Sequence, residues 1–184
     1  VFSSMSNNHD EVEQTISLVE NQEELEKDFE SEGYTIDSPN IIVNPYEISP
    51  LTALVIFETE SEVAPTITIV GADEHTTFTH EFDANTVHYL PIYGLYAGRD
   101  NEVIIEVDGV EKSITITTEE LPDDFIMPTS VDANKSELGN DLYFFTPSSS
   151  GYTCAYDVNG DVRWYLTINA LWEINRLSNG HLMV

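Results

Sequence analysis

The chain has 184 residues, 41% of them hydrophobic, with nine Tyr and eight Phe, enough apolar mass to bury a core rather than stay disordered. Its 34 Asp and Glu against six Lys and Arg give a formal net charge of −28, which excludes nucleic acid as a partner, because that contact rests on neutralising phosphates with cationic side chains, and disfavours anionic membranes. A single cysteine, Cys154, excludes an intrachain disulfide and cannot by itself supply a structural zinc site.

Residues 1–9 read as a polar tail. Residues 1–10 lack both a basic start and an apolar stretch, so no signal peptide is expected there, and a start at Val1 without Met suggests a mature or trimmed chain. From Asp10 the pattern turns helical. Asp10 with Glu13, and Asn21 with Glu24, fit a capping-box spacing; Val12, Ile16 and Val19 share one helical face, and Leu25 and Phe29 another. This lead-in, residues 1–35, is expected to hold two short helices or one bent helix ending at Gly33.

Beyond Pro39 the apolar period changes from helical to alternating, the primary signal of strands. Strands are expected at 41–43, 51–58, 66–70, 76–82, 87–92, 102–107 and 113–117, with Asp108-Gly109 as a tight hairpin turn because both residues tolerate positive φ. Seven short strands at near-regular spacing predict an immunoglobulin-like sandwich over residues 36–120. Residues 121–128, with two prolines, read as a linker. Over residues 129–184 the rhythm is different: strands at 142–146, 151–157, 162–167 and 171–177 are punctuated by Asn159-Gly160 and Asn179-Gly180. Four short strands in such a span describe one blade of a β-propeller. The chain stops at His181-Leu-Met-Val184, at what reads as a further strand, as expected of an incomplete propeller truncated from a longer protein. No run of 18 apolar residues occurs, so no membrane span is expected.

No catalytic constellation stands out. The histidines are His9, His75, His80, His88 and His181; a zinc site could recruit His75, His80 and His88 from adjacent strands, but His80 shares a face with Phe78 and Phe82 and reads as a partly buried, hydrogen-bonded side chain. Asp157-Val-Asn159-Gly-Asp161 begins like a calcium loop, then departs from it at Val162 and Ile168, and reads as a hairpin turn. Gly94-Leu-Tyr-Ala-Gly98-Arg99 fits neither a dinucleotide nor a phosphate loop and reads as a turn with Arg99 and Asp100 exposed. There is no Gly-x-Ser-x-Gly elbow; Ser148-Ser149-Ser150-Gly151 reads as a loop. Cys154 alternates with Tyr152 and Tyr156 and reads as a small buried hydrophobe. Asn134-Lys-Ser136 is a glycosylation sequon, a motif short enough to occur by chance. No catalytic, cofactor-binding or metal residue is therefore assigned.

Three stretches taken together are more specific: NPYEISPLTALVIF at 44–57, HYLPIYGLYAGRDN at 88–101 and YDVNGDVRWY at 156–165. In order and spacing they resemble the start of bacterial arylsulfate sulfotransferases. The resemblance covers about residues 34–184 and implies a β-sandwich ahead of a six-bladed propeller. It further implies sulfuryl transfer from an aryl sulfate to a phenol without a nucleotide donor, through a propeller histidine. Covalent relay splits one hard transfer into two easier ones, with His and Arg stabilising charge on the sulfate oxygens. Of the propeller side only Arg163, Arg176 and His181 fall here, and His181, after an Asn-Gly turn, reads as structural; no catalytic residue is carried over. The acidic helical lead-in and the single cysteine depart from the periplasmic members.

The expectation is a mostly β, acidic, extracytoplasmic accessory region of a sulfotransferase-like enzyme, without turnover alone and needing no cofactor. Its expected partner is the rest of the propeller, with a homodimer formed where open strand edges pair across chains. The alternative is an adhesion or glycan-binding module that presents Tyr93 and Tyr96 on its loops, and a third reading is a calcium-dependent spacer.

Overall fold

A computed structural model describes residues 33–147 and 151–168, together with the backbone of residues 175–176 and 182–183. The expected helical lead-in, His9, the serine loop, the Asn179-Gly180 turn and His181 lie outside the described residues.

Seven antiparallel strands form two sheets. One has the order β1 (Asn40–Val43), β2 (Thr52–Val63), β5 (Asn85–Tyr93); the other runs β4 (Phe78–Glu81), β3 (Thr66–Ile69), β6 (Asp100–Val107), β7 (Val110–Thr117). The alternation read from sequence sends one row from each strand inward: Ala53, Val55 and Phe57 from β2, Leu90 and Ile92 from β5, Val103 and Ile105 from β6, Ile114 and Ile116 from β7. These rows meet in one dry core, where Val55, Phe57, Ile92, Val103 and Ile105 are completely buried. Burying a side chain of this size stabilises by about 1.5–3 kcal/mol, so the core carries the sandwich. The β6–β7 hairpin closes through Asp108 (φ 51°) and Gly109 (φ 78°), the left-handed pair that a two-residue turn requires.

The strand expected at 76–82 begins two residues late. The hydroxyls of Thr76 and Thr77 both donate to the Asp73 carbonyl, at 3.2 and 2.9 Å, and the Gly71 amide donates to the Thr77 hydroxyl at 3.0 Å. Side chains that bond locally withdraw their residues from the ladder. Gly71 is required at this fold-back, because a Cβ there would stand 2.2 Å from the Thr76 carbonyl.

Residues 121–128 are not a free linker in space, since Leu121 and Phe125 pack against the core. One helical turn, α1 (Lys135–Leu138), follows where no helix was expected. Next comes an antiparallel meander of β8 (Tyr143–Phe145), β9 (Cys154–Tyr156) and β10 (Val162–Tyr165), with β9 in the centre. Cys154, Val162 and Tyr165 join the sandwich core, while Ala155, Trp164 and Leu166 form a second cluster with Ile48. The Thr167 amide donates to the Ile48 carbonyl at 2.9 Å, so the meander and the sandwich share one interior. Within the expected fourth strand, β11 (Asn175–Arg176) pairs antiparallel with β12 (Leu182–Met183).

Candidate functional site

Three of the chain's six basic residues, Arg99, Lys135 and Arg163, gather where the meander meets the sandwich. Arg163 stands in an otherwise apolar strand, Val-Arg-Trp-Tyr, all four residues of which are buried. A regular strand would turn alternate residues to opposite faces. Here the β9–β10 register shifts between Val162 and Trp164, so Arg163 is the extra residue of a bulge, a device that re-aims one side chain.

The guanidinium enters the sandwich and is completely buried. Its Nε donates to the Gly94 carbonyl at 2.8 Å, and Nη1 donates to the Thr76 carbonyl at 2.9 Å and to Asp157 Oδ2 at 2.8 Å. The charge lies 3.7 Å above the Tyr96 ring centre and 4.6 Å from that of Phe78, placements that favour a cation over an aromatic face. Among the described residues Nη2 finds no hydrogen-bond partner. Burial pushes the guanidinium pKa down and the hydrogen bond to Asp157 pulls it back up.

Both ends of this contact are built before they meet. Asp157 Oδ1 accepts the amides of Asn159 and Asp161 at 2.9 and 3.1 Å, locking the Asn-Gly turn and presenting Oδ2 to Arg163. The carboxylate that opened the calcium-like motif is thus committed to its own turn and to an arginine, and no group of three His, Cys, Asp or Glu among the described residues is placed to hold a metal ion. On the sandwich side, the buried Asn101 carboxamide accepts the Tyr96 amide at 2.8 Å and donates to the carbonyls of Tyr96 and Arg99 at 3.1 Å and of Ile116 at 3.2 Å. Tyr96 accepts the Ala72 amide on its hydroxyl at 3.0 Å, tying the two loops together. Arg99 covers its other face at 3.4 Å. Gly94 holds φ 89°, and a Cβ there would press on the Phe78 ring at 3.1 Å.

The loop before β4 receives further contacts. Lys135 reaches Asp73 Oδ2 at 2.9 Å, and the Asn140 amide donates to the carbonyls of Glu74 at 2.7 Å and Thr77 at 3.0 Å. The Lys135 hydrogen bond, above all, holds the Asp73 carboxyl down to about 2.

The three described histidines are not brought together into a metal site. His88 is buried against Phe57, with ring centres 4.7 Å apart and Nε2 3.0 Å from the Thr59 hydroxyl, and burial pushes its pKa down. His80, expected to be partly buried, is exposed and meets only the Phe82 edge. His75 sits 3.7 Å from Glu74. Burial pushes the Cys154 thiol up, the opposite of an activated nucleophile. Tyr93 is exposed as expected of a binding loop, but Tyr96 is only 5% exposed. A groove of about 740 Å³ between residues 125–133 and the meander is lined by Phe125, Met127, Val131, Phe145 and Tyr156, among others, and among the described residues by no cationic side chain.

Sequence reading missed Arg163, Tyr96 and Asn101 as a unit. The available signal was an arginine inside an apolar strand, in a chain with so few cations.

Residues 40–122 match the family model described as the arylsulfotransferase Ig-like domain, and residues 128–184 match the arylsulfotransferase (ASST) model. No curated protein matches the chain. With the two models matched in succession along most of its length, on a mostly β, antiparallel fold with an Ig-like sandwich, the chain belongs to the arylsulfotransferase family, of whose N-terminal region it carries the Ig-like domain and the segment that follows.

Proposed function

We propose that this region is the accessory part of an extracytoplasmic arylsulfate sulfotransferase, in which the sandwich fixes the first blade of a propeller. The observation that carries the reading is the insertion of Arg163 from the meander into the sandwich, bound to Gly94, Thr76 and Asp157. A guanidinium buried whole and bound to three protein acceptors positions a blade rather than a substrate. Sulfuryl transfer from an aryl sulfate to a phenol then runs through a histidine outside these residues. The open edge of β8 is completed by the rest of the propeller, or by a second copy when this chain stands alone, giving a homodimer.

The test is release of nitrophenolate from p-nitrophenyl sulfate, with phenol as acceptor, by the full-length protein and by this chain side by side. An active full-length protein with a silent chain is expected. A silent full-length protein would remove the sulfuryl-transfer reading, and an active chain would remove the accessory one.

A further inference from the structure

Of the thirteen asparagines in the chain, only Asn134 is followed two residues later by a hydroxyl residue, in Asp132-Ala133-Asn134-Lys135-Ser136. The motif is the acceptor sequence for N-linked glycans, and neither the junction nor the proposed chemistry uses this asparagine. Its surroundings fit an acceptor. Asn134 is exposed, with extended backbone (φ −85°, ψ 90°) just ahead of α1. The Ser136 hydroxyl donates to Asn134 Oδ1 at 2.8 Å, and Nδ2 carries no hydrogen bond among the described residues. The middle residue does not obstruct approach, since Lys135 is drawn onto Asp73. Asp132, two residues before, is exposed and leaves a carboxylate for a cationic subsite of a transferring enzyme.

We propose that Asn134 is a glycan attachment site, a reading that rests on the extracytoplasmic location proposed above. Nδ2 attacks the anomeric carbon of a glycan carried on a polyprenyl diphosphate; the C–N bond forms as the anomeric C–O bond breaks. The diphosphate leaves with the electron pair, and an amide proton passes to a base of the transferase. The hydroxyl bond to Oδ1 holds the carboxamide with its nitrogen turned to the incoming sugar. Attached there, the glycan stands on the segment between sandwich and meander and leaves the buried contacts of Arg163 untouched.

The experiment is glycopeptide mapping of the full-length protein isolated from the cells that make it, with cell fractionation in parallel. A glycan mass on the peptide containing Asn134 is expected, lost in Asn134→Gln and Ser136→Ala and reduced in Asp132→Ala. An unmodified Asn134 in protein recovered outside the cytoplasm overturns the site. Protein confined to the cytoplasm overturns the location, and the proposal with it.

Discussion

The sandwich and the meander are held by different physics. Between the two sheets the contact is apolar and alternates residue by residue, with Val55, Phe57, Val103 and Ile105 fully buried. Between sandwich and meander the apolar contact is supplemented by one buried guanidinium, which a bulge in the meander sends onto two sandwich carbonyls while a carboxylate of the meander's own turn pairs with it. Apolar burial is strong but non-directional. A guanidinium with three fixed acceptors, two of them sandwich carbonyls, by contrast tolerates one orientation, so the core supplies stability while the guanidinium selects how the meander sits. Buried pairs add little net stability over well-packed apolar side chains, which is why geometry is the role assigned to this one.

The sharpest way to break the comparison is Arg163→Met. It leaves the Asp157 carboxylate buried and unpaired, and a loss of about 3–5 kcal/mol in urea unfolding is expected, with meander amides losing hydrogen-exchange protection while β6 and β7 keep theirs. Adding Asp157→Asn, which keeps an oxygen for the two turn amides, restores most of that loss; a single variant as stable as the parent would show that the guanidinium anchors nothing. Asn101→Ala comes next. It strips acceptor and donors from a buried loop, and about 1–3 kcal/mol is expected, this time with both regions weakened, because the loop belongs to the sandwich and forms the socket. The smallest effect concerns pH, since the Lys135–Asp73 pair faces solvent. With its carboxyl held down to about 2 in the fold against an unfolded value near 3.9, Asp73 contributes stability that is complete above the unfolded value and lost as pH falls from about 4 to 2. Asp73→Asn flattens that dependence in the protection of residues 135–140; an unchanged acid profile would remove Lys135 from the docking contacts.

What was legible in the sequence is local. β2 and β5 declared themselves by alternation, and the Asp108-Gly109 turn by residues that accept positive φ. What was not legible depends on distant neighbours. Tyr96 reads as an exposed loop aromatic until Arg163, 67 positions later in the numbering, is laid on its face. Thr76 reads as strand until Asp73 captures its hydroxyl. The bulge has no signature of its own, because Val-Arg-Trp-Tyr suits a regular strand equally well. The three stretches that carried the family resemblance nonetheless all bear on the meander: Ile48 from the first packs with Ala155, Trp164 and Leu166, and Gly94 and Tyr96 from the second hold Arg163 from the third.

The bond from Arg163 to Gly94 spans 69 positions and the one to Thr76 spans 87. A chain that emerges with its N-terminus first has therefore made all seven sandwich strands, and the loops that carry the two carbonyls, before Arg163 is added to it. The two carbonyls are thus a template that exists first, and within β10 only Arg163 carries a positive charge to offer them.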